Sequence, residues 1–396
     1  MKPNIKHHML RGLLLGSITL VPLTAAVRAA EEAAIKPIAE SAPAKGQAKV
    51  QLAILLDTSG SMSGLIEQAK TQLWQIVNTF IDAKQNGQVP FVEVALYEYG
   101  NDGLNSETHW IRQITPLTRD LDLVSKELFS LRTNGGSEFC GAVVQRATVD
   151  LKWDTSPDVY KAIFVAGNEP FTQGPIEPNK ACREAVAKGV IVNTIHCGGE
   201  QEGINSGWKD GAVLADGKFL IIDHNQAVVH IEAPQDAEIV KLNEALNKTY
   251  IPFGAEGQKR CEEQVAQDAN AAAAPTASGA NVQRALSKAS CNYWNANWDL
   301  VDASKEKDFK WEALKDEQLP EEMRKLDAEG RRKYVTERKT QRDEIAGKIQ
   351  ELNKQRQEFV TAKLKEAGEG KDNTLDKVMA GTVREQAAKK GYQFGK

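Results

Sequence analysis

A short loop of this chain carries one carboxylate and two hydroxyls at alternate positions. Asp57, Ser59 and Ser61 follow the aliphatic run 50–56, which is short, bounded by turn residues and typical of a buried parallel strand. Hard cations such as Mg²⁺ prefer oxygen ligands in an octahedron, and three oxygens at D-x-S-x-S spacing can face one point. Because the hydroxyls add ligands without charge, a cation bound here would stay electrophilic toward an external ligand.

The same loop also has a purely structural interpretation. Ser and Asp residues after a strand commonly form a turn and cap the helix that follows. In that case Asp57 would only bond loop backbone and hydroxyl groups. The strand in front of the motif and the predicted helix behind it, 65–83, favour the metal site.

From residue 48 onward, strands and helices alternate. The pattern predicts an α/β fold with a doubly wound, mostly parallel sheet and an antiparallel edge strand around the turn 100–103. Parallel strands would bring the Asp57 loop to their carboxyl edge, where open α/β sheets bind ligands. Strands are predicted at 50–56, 91–99, 109–114, 161–166, 190–195 and 218–223, and helices at 65–83, 117–131, 140–151, 179–188 and 208–215.

Over about residues 48–232 the D-T-S-G-S loop and this order of elements resemble the von Willebrand factor type A (VWA) domain. In that family the loop belongs to a metal-ion-dependent adhesion site (MIDAS), completed by a Thr from a second loop and an Asp from a third. Ser137, which follows two glycines and precedes a helix, matches the Thr. At the position of the Asp this chain has Gly167, with Asn168 and Glu169 next in sequence.

The resemblance therefore implies a divalent cation, Mg²⁺ or else Mn²⁺ or Ca²⁺. Asp57 is the only sure anionic ligand in this set, so weaker or more selective metal binding is expected. The implied ligands are Asp57, Ser59, Ser61, Ser137, Asn168 and Glu169.

The same resemblance implies a binding protein whose metal ion engages an acidic residue of a protein partner. The N-terminal pattern described below implies that this protein is exported. The alternative is an envelope scaffold that acts through its helical tail and has a vestigial metal site. No G-x-S-x-G, H-E-x-x-H or phosphate-loop motif is present, so no enzyme is expected. The formal net charge of −4 gives no argument for nucleic acid. The oligomeric state is not predicted.

The N-terminus has the pattern of a signal peptide. Lys2, Lys6 and Arg11 precede an apolar stretch at 13–27, so residues 1–29 are predicted to be removed on export. Residues 30–47 form a flexible leader. The expected location is the periplasm or the extracellular space, with no membrane span in the mature chain. The segments 167–174 and 192–199 resemble exported bacterial VWA proteins that carry helical tails.

Residues 233–396 are predicted to be a helical region with a long helix at about 320–366 and a final helix at 374–390. Apolar residues such as Ile345 and Ile349 fall at coiled-coil spacing along the long helix. Arg342 and Arg356 interrupt the same seam, which favours packing on a partner helix or on the main domain over a continuous coiled coil.

The five cysteines leave at least one thiol unpaired. Placed on the implied fold, Cys140, Cys182 and Cys197 lie at the same end of the sheet. One disulfide among them is predicted, with Cys182–Cys197 as the first choice. A second predicted disulfide joins Cys261 to Cys291 and closes a loop around the Ala-rich run 270–279. The alternative is a set of buried thiols.

Overall fold

Six strands form one sheet in the order β3-β2-β1-β4-β5-β6, and every neighbouring pair is parallel except β2 and β3. The predicted doubly wound sheet with an antiparallel edge is therefore confirmed. The computed structural model describes residues 48–223, 231–273, 279–367 and 375–395, so the predicted signal peptide and leader lie outside the described residues. The strands are β1 (Lys49–Asp57), β2 (Phe91–Tyr99), β3 (Ile111–Thr118), β4 (Tyr160–Gly167), β5 (Ile191–His196) and β6 (Phe219–Ile221).

Helices cover both faces of this sheet. Leu52 and Ile54 point to the face covered by α1 and α2, while Ala53 and Leu55 point to the face covered by α3, α4 and α6. Because successive side chains of a strand alternate between faces, a strand buried on both sides must be apolar throughout. These helices are α1 (Ser63–Asn78), α2 (Leu121–Ser130), α3 (Cys140–Asp150), α4 (Pro178–Ala187), α5 (Glu200–Asn205) and α6 (Trp208–Leu214).

The remaining helices build the helical region, and three of them, within residues 257–303, were not predicted. The helix α8 buries Gln264 and Gln267, so no apolar periodicity marks it, and it contains residues 270–273 of the run interpreted as a loop. In the described ranges no helix has both the length and the apolarity that a membrane span requires. The helices are α7 (Asp236–Asn247), α8 (Gly257–Ala273), α9 (Ala280–Lys288), α10 (Leu300–Ala303), α11 (Glu321–Arg324), α12 (Ala328–Ala367) and α13 (Leu375–Ala388).

The long helix differs from the prediction at its start. The backbone N–H of Gly330 donates to Oδ1 of Asp327 at 2.7 Å, so Asp327 caps a new helix and separates α11 from α12. Along α12 the arginines of the seam are buried in ion pairs. Arg342 donates to Asp299 at 2.7 Å and lies 4.0 Å from the ring centre of Tyr250, and Arg356 donates to Asp236 at 2.7 Å. The seam is thus used for packing within the chain.

The last helix completes the layer on the α1 side of the sheet. Leu375, Met379 and Val383 of α13 are buried among the side chains of β1 and α1. Gln386 of the same helix accepts a hydrogen bond from the hydroxyl of Tyr160 at 2.8 Å. Residues 392–393 then pair with Lys84–Gln85 in a two-stranded antiparallel ribbon. The helical region therefore supplies part of the core of the α/β domain.

A buried arginine joins the helical region to the α/β domain. Arg284 of α9 donates to Asp122 of α2 at 2.7 Å and to the carbonyl of Gln264 at 2.8 Å, and it pairs with Asp268 of α8. Its guanidinium lies 4.7 Å from the ring centre of Trp74 in α1. Burial opposes the charge of Asp268, but Lys288 and Arg284 hold its pKa at about 2.

Neither predicted disulfide is formed, because the five cysteines are free thiols. Cys182 packs with the side chains of the α3 face of the sheet, whereas Cys197 packs with those of the α1 face. The sheet itself separates the two sulfurs. Cys261 is half-buried beside the core of the helical region, and Cys291 is exposed.

Replacement of Arg284 by Met should lower the free energy of unfolding by about 3–5 kcal/mol, because it leaves the buried carboxylate of Asp122 without its cation. Urea denaturation of the Arg284→Met variant measures this loss. The matched control is Arg332→Met, since Arg332 is 55% exposed and should contribute less than about 1 kcal/mol. Equal effects of the two substitutions would contradict the assigned role of Arg284.

Candidate functional site

The side chain of Asp57 is buried at the end of β1, with 0% of the residue exposed. Its Oδ1 accepts a hydrogen bond from the backbone N–H of Ser59 at 2.7 Å, while its Oδ2 is buried and has no hydrogen-bond partner among the described residues. Burial raises the pKa of Asp57 to about 7, and the charges of Glu138 and Glu169 add to this effect. A buried acceptor oxygen without a partner is costly, so the site fits an added cation.

The Asp57 loop itself and one further loop bring oxygen atoms to this carboxylate. The hydroxyl oxygens of Ser59 and Ser61 are 3.3 Å apart, and the one-turn helix Gly60–Met62 begins between them. The side-chain amide of Asn168, which follows β4, donates to the Ser61 hydroxyl at 3.3 Å. The structure therefore places four of the predicted ligands, Asp57, Ser59, Ser61 and Asn168, in one cluster.

The other two predicted ligands lie in the flanking loops. Glu169 is half-buried, its charge acts on Asp57, and its backbone carbonyl accepts a hydrogen bond from the indole of Trp208 at 2.9 Å. Ser137 is half-buried and directly precedes Glu138, which is buried.

Glu138 is a member of the cluster that sequence reasoning missed. A side chain at Gly100 would lie 2.8 Å from Cγ of Glu138 and 3.0 Å from Oδ1 of Asp57, so the two acids meet beside this glycine. Gly100 also has φ +78°, which favours glycine. Burial raises the pKa of Glu138, and the charge of Glu169 contributes to the shift. The only signal for Glu138 in the sequence was its place next to Ser137, the residue that matches the Thr of the VWA family.

The structure also explains the glycine where the VWA family has its third-loop Asp. A Cβ atom at Gly167 would lie 2.5 Å from the hydroxyl of Tyr99 and 3.1 Å from Oδ2 of Asp57. The hydroxyl is held there because it donates to the carbonyl of Ala166 at 3.0 Å. Tyr99 therefore occupies the space that an aspartate would need.

Two buried thiols, those of Cys140 and Cys197, lie beside the cluster. Cys140 is 3.5 Å from the Tyr99 hydroxyl, and burial raises the pKa of both Cys140 and Cys197 well above the ordinary value for a thiol. His196 packs against Trp208 on the α6 face, with ring centres 5.6 Å apart, while Cys197 faces the α1 side. These adjacent residues lie on opposite faces of the sheet, as their alternation along a strand predicts.

Fold and site together define the class of this domain. Its sheet order is 3-2-1-4-5-6 with an antiparallel third strand, and its D-x-S-x-S loop follows the central strand β1 at the carboxyl edge. Residues 48–223 thus have the fold of a VWA domain.

Comparisons with known proteins find similar folds among solved structures. No family model and no curated protein matches the chain. Among solved structures, similar folds include the conserved hypothetical protein BatB from Bacteroides thetaiotaomicron, with 18% identity over 44% of this chain and 90% of that chain and a TM-score of 0.33. The SpRpn10 VWA domain is 18% identical over 44% of this chain and 87% of its own, with a TM-score of 0.32.

A third similar structure is proximal thread matrix protein 1 from the mussel byssus, which has a zinc-occupied MIDAS motif. It is 15% identical over 44% of this chain and 42% of its own, with a TM-score of 0.34. At these identities the likeness concerns the fold alone.

The raised pKa of Asp57 predicts an unusual pH dependence of stability. The folded state binds the proton more tightly than the unfolded state, so stability is lost as the pH rises from about 4 to about 7. In EDTA, Asp57→Asn should therefore be more stable than the wild type at pH 8, by about 4 kcal/mol. The difference should shrink at pH 4. Urea unfolding at both values measures it.

The control for this experiment is Asp308→Asn, since Asp308 is exposed and its replacement should have the same small effect at both pH values. An Asp57→Asn variant that is less stable than the wild type at pH 8 would contradict the prediction.

The contact between Gly167 and Tyr99 predicts coupling between two substitutions. Gly167→Ala should lower the free energy of unfolding by about 2 kcal/mol, because the new methyl group meets the Tyr99 hydroxyl. In a Tyr99→Phe background the loss should be at least halved, since that hydroxyl is gone. Urea unfolding of the four proteins measures the coupling. The control is Gly199→Ala, where nothing lies within 4 Å of the added atom. If the losses of unfolding free energy for Gly167→Ala and Tyr99→Phe are additive, the contact between these two residues is refuted.

Proposed function

We propose that the chain is an exported binding protein whose VWA domain uses a divalent cation to engage an acidic group of a protein partner. The observation that carries this proposal is the buried Oδ2 of Asp57, which has no hydrogen-bond partner among the described residues. Carboxylate, hydroxyl and amide oxygens are the ligands that Mg²⁺, Mn²⁺ and Ca²⁺ share. The donor set favours Mg²⁺ and contains no soft ligand.

Asp57, Ser59, Ser61 and Asn168 would hold the cation, with Glu138 and Glu169 adding negative charge beside it. A bound divalent cation supplies positive charge and a position that an external carboxylate can fill. Without the cation the three acids repel an acidic ligand, because like charges in a poorly solvated site interact strongly. Partner binding is therefore switched by the metal.

Export is part of the proposal. It is supported by the basic residues Lys2, Lys6 and Arg11 in front of the apolar stretch 13–27, and it places the binding site in the periplasm or outside the cell. Extracellular Ca²⁺ modules bind their ion with dissociation constants of about 10⁻⁴–10⁻³ M, a weak binding that would suit a site with few anionic ligands.

The second candidate is an envelope scaffold that acts through α12. This helix has 40 residues, and much of its surface, including Lys348 and Lys365, is exposed. Gly167 also favours this candidate, since the site lacks the acid that the family has there. Partner binding by such a scaffold would survive a chelator.

Calorimetric titration of Mg²⁺ and Mn²⁺ into the full chain tests the first candidate. Saturable binding is expected, lost in Asp57→Ala and weakened about tenfold or more in Ser61→Ala, which removes one ligand atom from an exposed residue. The control Ser304→Ala removes a hydroxyl in the helical region and should bind metal like the wild type.

Absence of metal binding in the folded wild type would refute the metal-dependent function and leave the scaffold. The scaffold cannot be tested by deleting residues 233–396, because α13 belongs to the core of the α/β domain. The charge reversal Lys348→Glu with Lys365→Glu tests the exposed face of α12 without that loss.

A further inference from the structure

A cavity with a volume of about 580 Å³ lies at the opposite end of the sheet from Asp57. It is formed where the loop 151–159, which precedes β4, meets the end of α4 and the residue Lys390 after α13. This volume is in the range of small-molecule sites. None of its lining residues takes part in the Asp57 cluster.

Four lysines line this cavity: Lys152, Lys161, Lys188 and Lys390. Their ordered contacts are to carbonyl groups. Lys161 donates to the carbonyls of Asp154 at 2.6 Å and of Lys188 at 3.0 Å, and Lys390 donates to that of Pro157 at 3.0 Å. Within the described ranges, none of the four forms a salt bridge with a carboxylate.

The one carboxylate that lines the cavity is already engaged. Oδ2 of Asp154 accepts from the ammonium of Lys49 at 2.7 Å, and its Oδ1 accepts from the backbone N–H of Ser156 at 2.8 Å. Partial burial opposes the charge of this carboxyl, but these two hydrogen bonds hold its pKa below the usual value. The cavity therefore has an excess of positive charge.

Because Lys161 is buried, this excess of positive charge is energetically unfavourable. Only 4% of the residue is exposed, and burial lowers the pKa of its ammonium. The charge of Asp154 opposes this shift, and the charge of Lys390 adds to it. Two carbonyl groups and the charge of Asp154, a carboxylate already paired with Lys49, compensate for this buried charge only in part. An anion in the cavity would supply the missing charge.

We propose that this cavity binds a small ligand with several anionic oxygens, such as a phosphate ester or a polycarboxylate. Lys161 contacts the ligand at the base of the cavity, and Lys152, Lys188 and Lys390 surround it. Trp153 lines the same cavity, and its indole N–H donates to the carbonyl of Ala147 at 3.0 Å, which fixes the ring as part of the wall. The site is independent of the metal cluster.

Calorimetric titration of pyrophosphate and of citrate into the full chain tests the proposal, at constant ionic strength and in EDTA. The chelator removes any cation that either anion could bind at the Asp57 cluster. Saturable binding of at least one anion is expected. A preference for pyrophosphate identifies phosphate oxygens as the ligand chemistry, and a preference for citrate identifies carboxylates.

The double variant Lys188→Gln with Lys390→Gln removes two charges at the edge of the cavity and should weaken binding at least tenfold. Its matched control, Lys348→Gln with Lys365→Gln, removes two exposed charges on α12 and should leave binding unchanged. Asp57→Ala should also bind the anion like the wild type. The Trp153→Phe variant should lose any fluorescence change on binding while keeping the calorimetric signal.

Absence of saturable binding for both anions would overturn the proposal. Equal binding by the wild type and by the Lys188→Gln, Lys390→Gln variant would overturn it too, because the anion would then bind elsewhere.

Discussion

The ionisation of one buried carboxylate constrains the whole carboxyl edge of the sheet. Asp57 ends a strand that is covered on both faces, so water cannot solvate its charge, and its neighbours Tyr99, Cys140 and Cys197 are themselves buried. The surrounding loops offer Ser59, Ser61 and Asn168 in place of water. The cost of this charge is the physical basis of the proposed cation site, and it couples the stability of the fold to pH.

Buried charge also organises the rest of the molecule. Arg284 joins α9 to Asp122 of the α/β domain, and Arg342 joins α12 to Asp299 in the helical region. Each guanidinium also lies on an aromatic ring, that of Trp74 and that of Tyr250. Ion pairs of this kind add little net stability over apolar packing. They do require one arrangement of the helices, since any other would leave a charge unpaired.

The sheet could be predicted from the sequence because short aliphatic runs between turn residues are typical of buried strands. The Asp57 loop could be placed for the same reason. Glu138, the space filled by Tyr99 at Gly167 and the separation of Cys182 from Cys197 could not be predicted, since each depends on how distant segments pack. The helix α8 was missed because it buries glutamines, and buried polar side chains leave no apolar period.

The position of α13 has a consequence for biosynthesis. Its side chains Leu375, Met379 and Val383 complete a core whose other members begin at Val50. During synthesis α1 and α2 can cover this face of the first strands early, but the layer is complete only after α13 has been made. Contacts between segments so distant in sequence form slowly, and the apolar side chains beneath α13 stay exposed until then.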